Sequence, residues 1–150
     1  MDSFASALRE GVVLLDGGFA TQLEARGHDL SDSLWSARLL LDEPDEIRAT
    51  HADFFAAGAQ VAITASYQVS ETGFVAAGRS AAEAREALTR SVRLAREAAS
   101  GCDGQRWVAA SVGPYGASLA DGSEYRGDYG LSVAKLRQWH RPRLTALAEA

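Results

Sequence analysis

Three short stretches of the chain are almost continuously apolar. They span residues 12–15, 60–65 and 107–112, and they are rich in valine, isoleucine, leucine and alanine. Apolar runs of this length that do not alternate with polar residues are typical of strands buried on both faces, as in parallel sheets. We therefore predict three buried strands at these positions.

The segments between these strands repeat their apolar residues every three or four positions, which predicts helices. Residues 44–57 form the first such segment, with Pro44 suited to the first turn and Gly58 placed to end the helix. Residues 80–100 form the second, with Ala84, Leu88 and Val92 on one face and charged side chains on the other. Both segments are expected to pack one face against the sheet.

A third helical pattern follows the last strand. Ser132 is its candidate N-cap, and Val133, Leu136 and Trp139 continue the apolar spacing. Pro142 is expected to bend or divide this helix, because proline lacks the backbone N–H that a helix needs. A short helix is also expected before the first strand.

The alternation of strands and helices indicates an α/β fold with a parallel sheet. A dinucleotide-binding fold would place G-x-G-x-x-G after its first strand, whereas this strand leads into DGGFAT. A (βα)8 TIM barrel places its chemistry on the loops after the strands and needs about 250 residues. We therefore expect residues 1–150 to be the N-terminal part of one barrel domain, covering three βα units. A smaller α/β fold is the alternative.

Composition narrows the class of protein. The 150 residues are 47% hydrophobic and 23% charged, which is typical of a globular domain, and the net charge of -5 argues against a nucleic-acid partner. The first twenty residues resemble neither a signal peptide nor a membrane span, so we expect a cytoplasmic protein. Cys102 is the single cysteine and forms neither an intramolecular disulfide nor a multi-thiolate metal site by itself.

Polar residues gather where the predicted strands end. Asp16 follows the first strand, and Gly17 and Gly18 let a ligand approach the backbone. An ammonium group would suit that carboxylate, although an Asp-Gly turn that caps the next amides is the alternative. Thr64, Ser66 and Gln68 follow the second strand and suit a carboxylate or an amide, and the neighbouring tyrosine is either part of this site or wall packing.

The third strand leads into a long polar loop. Residues 111–116 read SVGPYG, and residues 121–129 read DGSEYRGDY. Long loops with tyrosines and charges but few aliphatic residues are often active-site lids. A solvated surface connection is the alternative.

Taken in order, these segments resemble the homocysteine S-methyltransferases. The resemblance rests on LDGG at residues 15–18, on the stretch from His51 to ITASYQ at residues 63–68, and on the segment from SVGPYG to Tyr129. It is strongest to the branch that uses S-methylmethionine or S-adenosylmethionine. The resemblance implies a (βα)8 barrel that transfers a methyl group from the sulfonium donor to L-homocysteine and yields methionine.

The resemblance also implies roles for individual residues. Asp16 would bind the homocysteine ammonium, Phe19 and Thr64 would line the amino-acid pocket, and Gly17 and Gly18 would admit the substrate. Ser66 and Gln68 are weaker candidates for substrate binding. No catalytic residue is expected in this chain, so the 150 residues alone are expected to be inactive.

Members of this family hold a zinc ion with three cysteine thiolates, and the zinc activates the substrate thiol. Those ligands are expected beyond Ala150. Cys102 precedes the third strand, which places it at the opposite face of the barrel from the substrate. His28, His51 and His140 lack metal-ligand spacing, and His51 is expected to be a hydrogen-bonded core residue.

Two other functions stay open at this point. One is a barrel enzyme that has the same loops at the strand ends but acts on a related thiol or selenol, or on a lyase substrate. The other is a non-catalytic fragment that binds an amino acid or a partner chain, in which an unpaired sheet edge would promote association. The sequence leaves the methyl donor and the oligomeric state undetermined.

Overall fold

The computed structural model describes residues 3–31, 34, 36–119 and 121–150. Seven α-helices and two strands are found in these ranges. In chain order they are α1 (Phe4–Glu10), α2 (Phe19–Ala25), α3 (Ser36–Asp42), α4 (Pro44–Ala56), β1 (Val61–Ile63), α5 (Glu71–Ala76), α6 (Ala81–Ser100), β2 (Trp107–Ala109) and α7 (Val133–Glu149). Two short 3-10 helices, Tyr115–Leu119 and Ser123–Tyr125, lie between β2 and α7.

The strands run parallel, as predicted for repeated βα units. β1 pairs with β2, with Val61 opposite Trp107 and Ile63 opposite Ala109. Leu15 forms an isolated parallel bridge to Val61 on the other side of β1. The predicted three strands are therefore neighbours in chain order, and the fold is α/β.

The first predicted strand differs from expectation. It was predicted to be buried on both faces, but Val12 is 85% exposed and Leu15 is 57% exposed, and only the Leu15 bridge has strand pairing. The reason is that this segment has a partner strand on one side alone among the described residues. β2 is likewise half-buried rather than buried, whereas Val61 and Ala62 of β1, which has neighbours on both sides, are buried.

The long helices begin and end close to the predicted positions. Gly58 follows α4 with a φ of 106°, a left-handed conformation that favours glycine. Ser80 caps α6 with a full capping box, since its hydroxyl accepts the Glu83 amide and the Glu83 carboxylate accepts the Ser80 amide. Ser132 caps α7 as predicted, and Pro142 lies inside that helix without dividing it.

The main core lies between helices. α4 and α6 pack against each other, and both contact β1. Leu23, Leu39, Ile47 and Phe74 are fully buried in the larger apolar cluster, to which α2, α3, α4 and α5 contribute them. A smaller cluster around Phe55 fills the space between α4, β1 and α6. These layers hold the strand ends at one edge, where the polar residues gather.

No helix within the described residues is long and apolar enough to cross a membrane.

Candidate functional site

A cavity of about 420 Å³ opens where the strands end. Five of the residues singled out by sequence line it: Asp16, Gly17, Phe19, Thr64 and Gln68. They come from the loop after the first strand segment and from the loop after β1. The parallel pairing brings these two loops to the same edge of the sheet. Five residues predicted to bind substrate therefore line one cavity, and their role in binding stays a prediction.

The carboxylate of Asp16 is fixed on one side and unpaired on the other. Its Oδ2 accepts the Ile63 amide at 2.8 Å, so β1 orients the side chain. Its Oδ1 is buried and has no hydrogen-bond partner within the described part of the chain. Burial raises the pKa of Asp16 above its usual range, and the Ile63 hydrogen bond partly offsets that rise. A buried carboxylate oxygen without a partner favours a cationic ligand such as an ammonium group.

Two hydroxyl groups after β1 and the backbone of Ser111 after β2 join the ends of these strands. The Ser66 hydroxyl donates to the Ser111 carbonyl at 2.7 Å, and the Ser111 amide donates to Thr64 Oγ1 at 2.9 Å. Thr64 Oγ1 and Ser66 Oγ lie 2.7 Å apart. Since the Ser66 proton is used on Ser111, the Thr64 hydroxyl donates to Ser66. This network fixes the cavity wall and occupies the Thr64 proton.

Two of the predicted site residues do not line the cavity. Ser66 is fully buried beneath it, in the network that joins the strand ends. Gly18 is the N-cap of α2, and a side chain there would contact the Thr21 hydroxyl. Neither residue faces the cavity, so this arrangement gives no evidence for the prediction that they contact the substrate.

The aromatic ring of Phe19 forms part of the cavity and packs on a buried histidine. The ring centroids of Phe19 and His51 lie 4.6 Å apart. His51 is fully buried, and neither ring nitrogen has a hydrogen-bond partner among the described residues. The expectation of a hydrogen-bonded core histidine is therefore wrong in one respect, because His51 is in the core but unpaired. Burial lowers the pKa of His51 to about 4, so it is neutral at physiological pH.

The loop after β2 closes the far side of the cavity. Gly116 lies against the 3-10 helix Ser123–Tyr125, and a Cβ at this position would be 2.5 Å from the Glu124 nitrogen. A Cβ on Gly113 would overlap the Tyr67 carbonyl oxygen. These two close approaches explain both glycines of the GPYG run. They bring Glu124 and Tyr125 to the cavity and seat Gly113 against the loop that carries Tyr67.

Tyr67 and Glu124 connect this loop to the end of β1. The Tyr67 hydroxyl donates to Glu124 Oε2 at 2.9 Å. Desolvation and the adjacent Glu124 carboxylate raise the pKa of Tyr67 to about 12, so the phenol keeps its proton. Residues 124 and 125 of the long loop thus reach the cavity, and the lid role of that loop stays a prediction.

A buried arginine on α7 holds the two wall loops together. Arg143 donates from Nε to the Val69 carbonyl at 2.7 Å, from Nη1 to the Gly113 carbonyl at 2.8 Å and from Nη2 to the Tyr67 carbonyl at 3.0 Å. Its guanidinium also lies over the Trp139 ring at 4.6 Å. Burial lowers the pKa of Arg143 to about 10, so it stays charged at neutral pH.

The described residues contain no group of three or more histidine, cysteine, aspartate or glutamate side chains that could hold a metal ion. Cys102 donates its thiol to the Ala98 carbonyl and precedes β2, whereas the cavity lies where the strands end. His28 contacts Glu46 at 3.1 Å, and the His140 ring packs on Trp139. The residues present therefore do not fit a zinc site.

Several residues that line this cavity were not predicted from the sequence as substrate contacts. Tyr67 was left open between the site and wall packing, and Ser111 had only its position at the end of the third apolar run as a signal. Glu124 and Tyr125 lie in a loop whose fold depends on the close approach at Gly116, which no local pattern reports. Arg143 had no signal, because a lone arginine beside a proline on a helix is usually exposed.

Comparisons with known proteins identify relatives of this chain. Residues 13–150 match the sequence model of a family described as homocysteine S-methyltransferase. A homocysteine S-methyltransferase of Escherichia coli (strain K12) is 51% identical over 148 residues, which cover 95% of this chain and 48% of the relative. Homocysteine S-methyltransferase YbgG of Bacillus subtilis (strain 168) is 51% identical over 152 residues, covering 93% and 47%. The chain spans about half the length of these curated relatives.

Solved structures show the same fold. The homocysteine methyltransferase MmuM from Escherichia coli, in a crystal structure described as the metallated form, superposes with a TM-score of 0.88 at 51% identity. The match covers 95% of this chain and 52% of that one. A crystal structure described as the oxidized form gives a TM-score of 0.87 at 52% identity, covering 92% and 49%.

Proposed function

This chain belongs to the homocysteine S-methyltransferase family, and we propose that it forms the first three βα units of a (βα)8 barrel. Three observations support this architecture: parallel neighbours in chain order, a helix after each strand segment, and an exposed first segment that has a strand partner on one side alone within the described ranges. A closed barrel would supply that missing partner. The remaining strands would come from residues outside this chain.

We further propose that the complete protein transfers a methyl group from S-methylmethionine or S-adenosylmethionine to L-homocysteine, yielding methionine. The unpaired, buried Oδ1 of Asp16 is the observation that carries this proposal. An amino-acid substrate brings an ammonium group, which would give this oxygen its missing partner and favour the ionised form of the carboxylate. The family relationship supports homocysteine as that amino acid.

The other cavity residues would position the substrate around that contact. Gly17 lines the cavity beside Asp16, and a Cβ there would face the Phe54 ring at 3.4 Å, so its backbone is the part it offers to the substrate. The Phe19 ring offers an apolar surface for the substrate methylenes. Gln68 brings an amide that can donate to the substrate carboxylate. Thr64 acts through the network that fixes Ser111, because its proton is already donated to Ser66.

Zinc is expected for the complete enzyme from the family resemblance, and it would activate the substrate thiol. The described residues do not supply its ligands, so we assign no step of the reaction to a metal held by this chain. We propose that the cysteine ligands lie outside residues 1–150, and that the chain alone does not turn over. A cytoplasmic location stays a prediction.

The direct test is an assay of the full-length protein with homocysteine and either sulfonium donor. We expect methionine to form, and we expect chelation of zinc to abolish it. Absence of methionine formation with both donors would overturn the assignment, and preferential methylation of another thiol or a selenol would favour the alternative barrel enzyme.

A variant test addresses the cavity itself. Asp16→Ala should weaken homocysteine binding, because it removes the only carboxylate held by the Ile63 amide. Asp45→Ala is a matched control, since Asp45 is an exposed carboxylate on α4 that pairs with Arg48 away from the cavity. Equal homocysteine affinity in both variants would exclude Asp16 from the site.

A further inference from the structure

The cavity carries two carboxylates and no positive side chain among the described residues that line it. Asp16 lies on one wall, on the loop after the first strand segment, and Glu124 lies on the opposite loop. The remaining lining side chains are neutral, and they include the tyrosines Tyr67 and Tyr125. Homocysteine brings one ammonium group, which Asp16 would take under the proposed function. The negative charge of Glu124 is then left for a second cation.

Glu124 is held in place by a built turn. Asp121 Oδ1 accepts the Ser123 amide at 2.9 Å, and the buried Ser123 hydroxyl donates to the Gly116 carbonyl at 3.4 Å. The close approach at Gly116 leaves the Glu124 backbone little room to move. The Tyr67 hydroxyl then fixes Oε2 of the carboxylate. The position of this charge is therefore determined by contacts on both sides of the cavity.

Aromatic rings stand beside this carboxylate. Tyr67 lines the cavity, and Tyr125, which follows Glu124 directly in the chain, stands at its open rim, where it is 87% exposed. Ring faces attract cations, and the combination of rings with a carboxylate is typical of sites for cations that have no N–H to donate. A sulfonium is such a cation, because its sulfur carries a positive charge and three carbon substituents.

We propose that Glu124, together with the rings of Tyr67 and Tyr125, binds the sulfonium cation of the methyl donor and so determines the specificity for charged donors. This inference rests on the proposed function, since it assigns the second substrate of the same cavity. Asp16 would hold the acceptor amino acid at one wall, and residues 123–125 would hold the donor at the other.

The charge changes of the reaction decide which kinetic constant Glu124 affects. A bond forms between the acceptor thiolate sulfur and the methyl carbon, while the bond from that carbon to the sulfonium sulfur breaks. The bonding pair stays on the donor sulfur, so a thiolate and a sulfonium become two neutral thioethers. The positive charge beside Glu124 is therefore largest before the transfer and smaller in the transition state.

A carboxylate in this position stabilises the bound donor more than the transition state. Removing this carboxylate should weaken donor binding without slowing methyl transfer within the bound complex. The neutral thioether left after transfer loses the attraction to Glu124, which assists its release. The effect of Glu124 is thus expected in the KM for the donor, with kcat unchanged or higher.

The experiment compares variants of the full-length protein, with S-methylmethionine as the donor and homocysteine saturating. Glu124→Gln keeps the shape and removes the charge, and we expect donor KM to rise about 3- to 30-fold with kcat unchanged or raised. Tyr125→Leu should raise donor KM about 2- to 5-fold through loss of the ring. In a separate series with the donor saturating, the homocysteine KM of Glu124→Gln should stay within about twofold of the wild-type value. This result would also show that the cavity is folded.

Asp128→Asn is the matched control, because Asp128 is an exposed carboxylate on the same loop that pairs with Arg126 and does not line the cavity. It should leave both KM values unchanged. A donor KM in Glu124→Gln equal to that of Asp128→Asn, or a fall in kcat with donor KM unchanged, overturns the inference while leaving the proposed function standing. A wild-type protein that forms no methionine overturns both.

Discussion

Arg143 gives the sharpest test of how the helix layer supports the cavity. Its guanidinium donates to three carbonyls, two in the loop after β1 and one in the loop after β2. Replacing it with methionine keeps an apolar side chain of similar length but removes all donors. The Val69, Gly113 and Tyr67 carbonyls would then lose this partner in a buried region.

The expected loss follows from these three contacts. A buried carbonyl that loses its hydrogen bond costs roughly 1 kcal/mol or more, so three of them give about 3 kcal/mol in the free energy of unfolding. Arg143→Lys should show an intermediate loss, because an ammonium group lacks the planar fork that reaches all three carbonyls. Homocysteine KM should rise in Arg143→Met, since Tyr67 lines the cavity and Gly113 packs against the Tyr67 carbonyl.

Urea-induced unfolding of the full-length protein measures the free energy, and steady-state kinetics measure KM. Arg141→Met is the control, because Arg141 is exposed on the same helix and should change the free energy of unfolding by less than about 0.5 kcal/mol. If Arg143→Met were no less stable than Arg141→Met, the three hydrogen bonds would not hold the wall loops and this reasoning would be refuted.

Further predictions concern pH, the loop crossing and a helix cap. Burial lowers the pKa of His51 to about 4 in the folded protein, so the unfolded chain binds the proton first as pH falls. Between pH 6.5 and about 4 the free energy of unfolding in urea should therefore fall by about 3 kcal/mol more in the wild type than in His51→Leu. An equal pH dependence of the two proteins would contradict this. Gly116→Ala should displace Glu124, raise the donor KM and lower the free energy of unfolding by about 1 to 3 kcal/mol. An unchanged donor KM would show that the close approach at Gly116 does not position Glu124. Ser80→Ala should lower the free energy of unfolding by about 1 kcal/mol through loss of the capping box, with Ser100→Ala at an exposed position of the same helix as its control. Equal stability of the two variants would show that the capping box does not stabilise α6.

The sequence predicted the long helices well because their signals are local and repeated. In α6 the apolar spacing runs over twenty residues, and Ser80 and Glu83 supply a capping box that needs only three-residue spacing. Gly58 ends α4 because the chain takes a left-handed conformation there. Such features depend on neighbouring residues, so the amino-acid order contains them directly.

Three of the short helices and the buried arginine could not be predicted in the same way. α2 and α3 have seven residues each and α5 has six, which is too short for a periodic pattern to stand out. Arg143 is buried because three carbonyls from distant loops meet on its side chain, and that meeting exists only in the folded chain.

The site was predictable in its outline and not in its far wall. Asp16 and Thr64 stand at strand ends, and parallel strands bring their ends together, so the sequence placed them at one mouth. Glu124 reaches that mouth only because Gly116 permits two backbone segments to cross. The unpaired state of His51 also had no sequence signal, because hydrogen bonding in the core depends on neighbours from other elements.

The most direct measurement compares the binding of homocysteine and of 4-mercaptobutyrate, which lacks only the amino group, by wild-type full-length protein and by Asp16→Asn. If Asp16 Oδ1 takes the substrate ammonium, Asp16→Asn should weaken homocysteine binding about tenfold or more and leave 4-mercaptobutyrate binding unchanged. An equal loss for both ligands, or no loss for homocysteine, would contradict the assignment of Asp16 as the ammonium site.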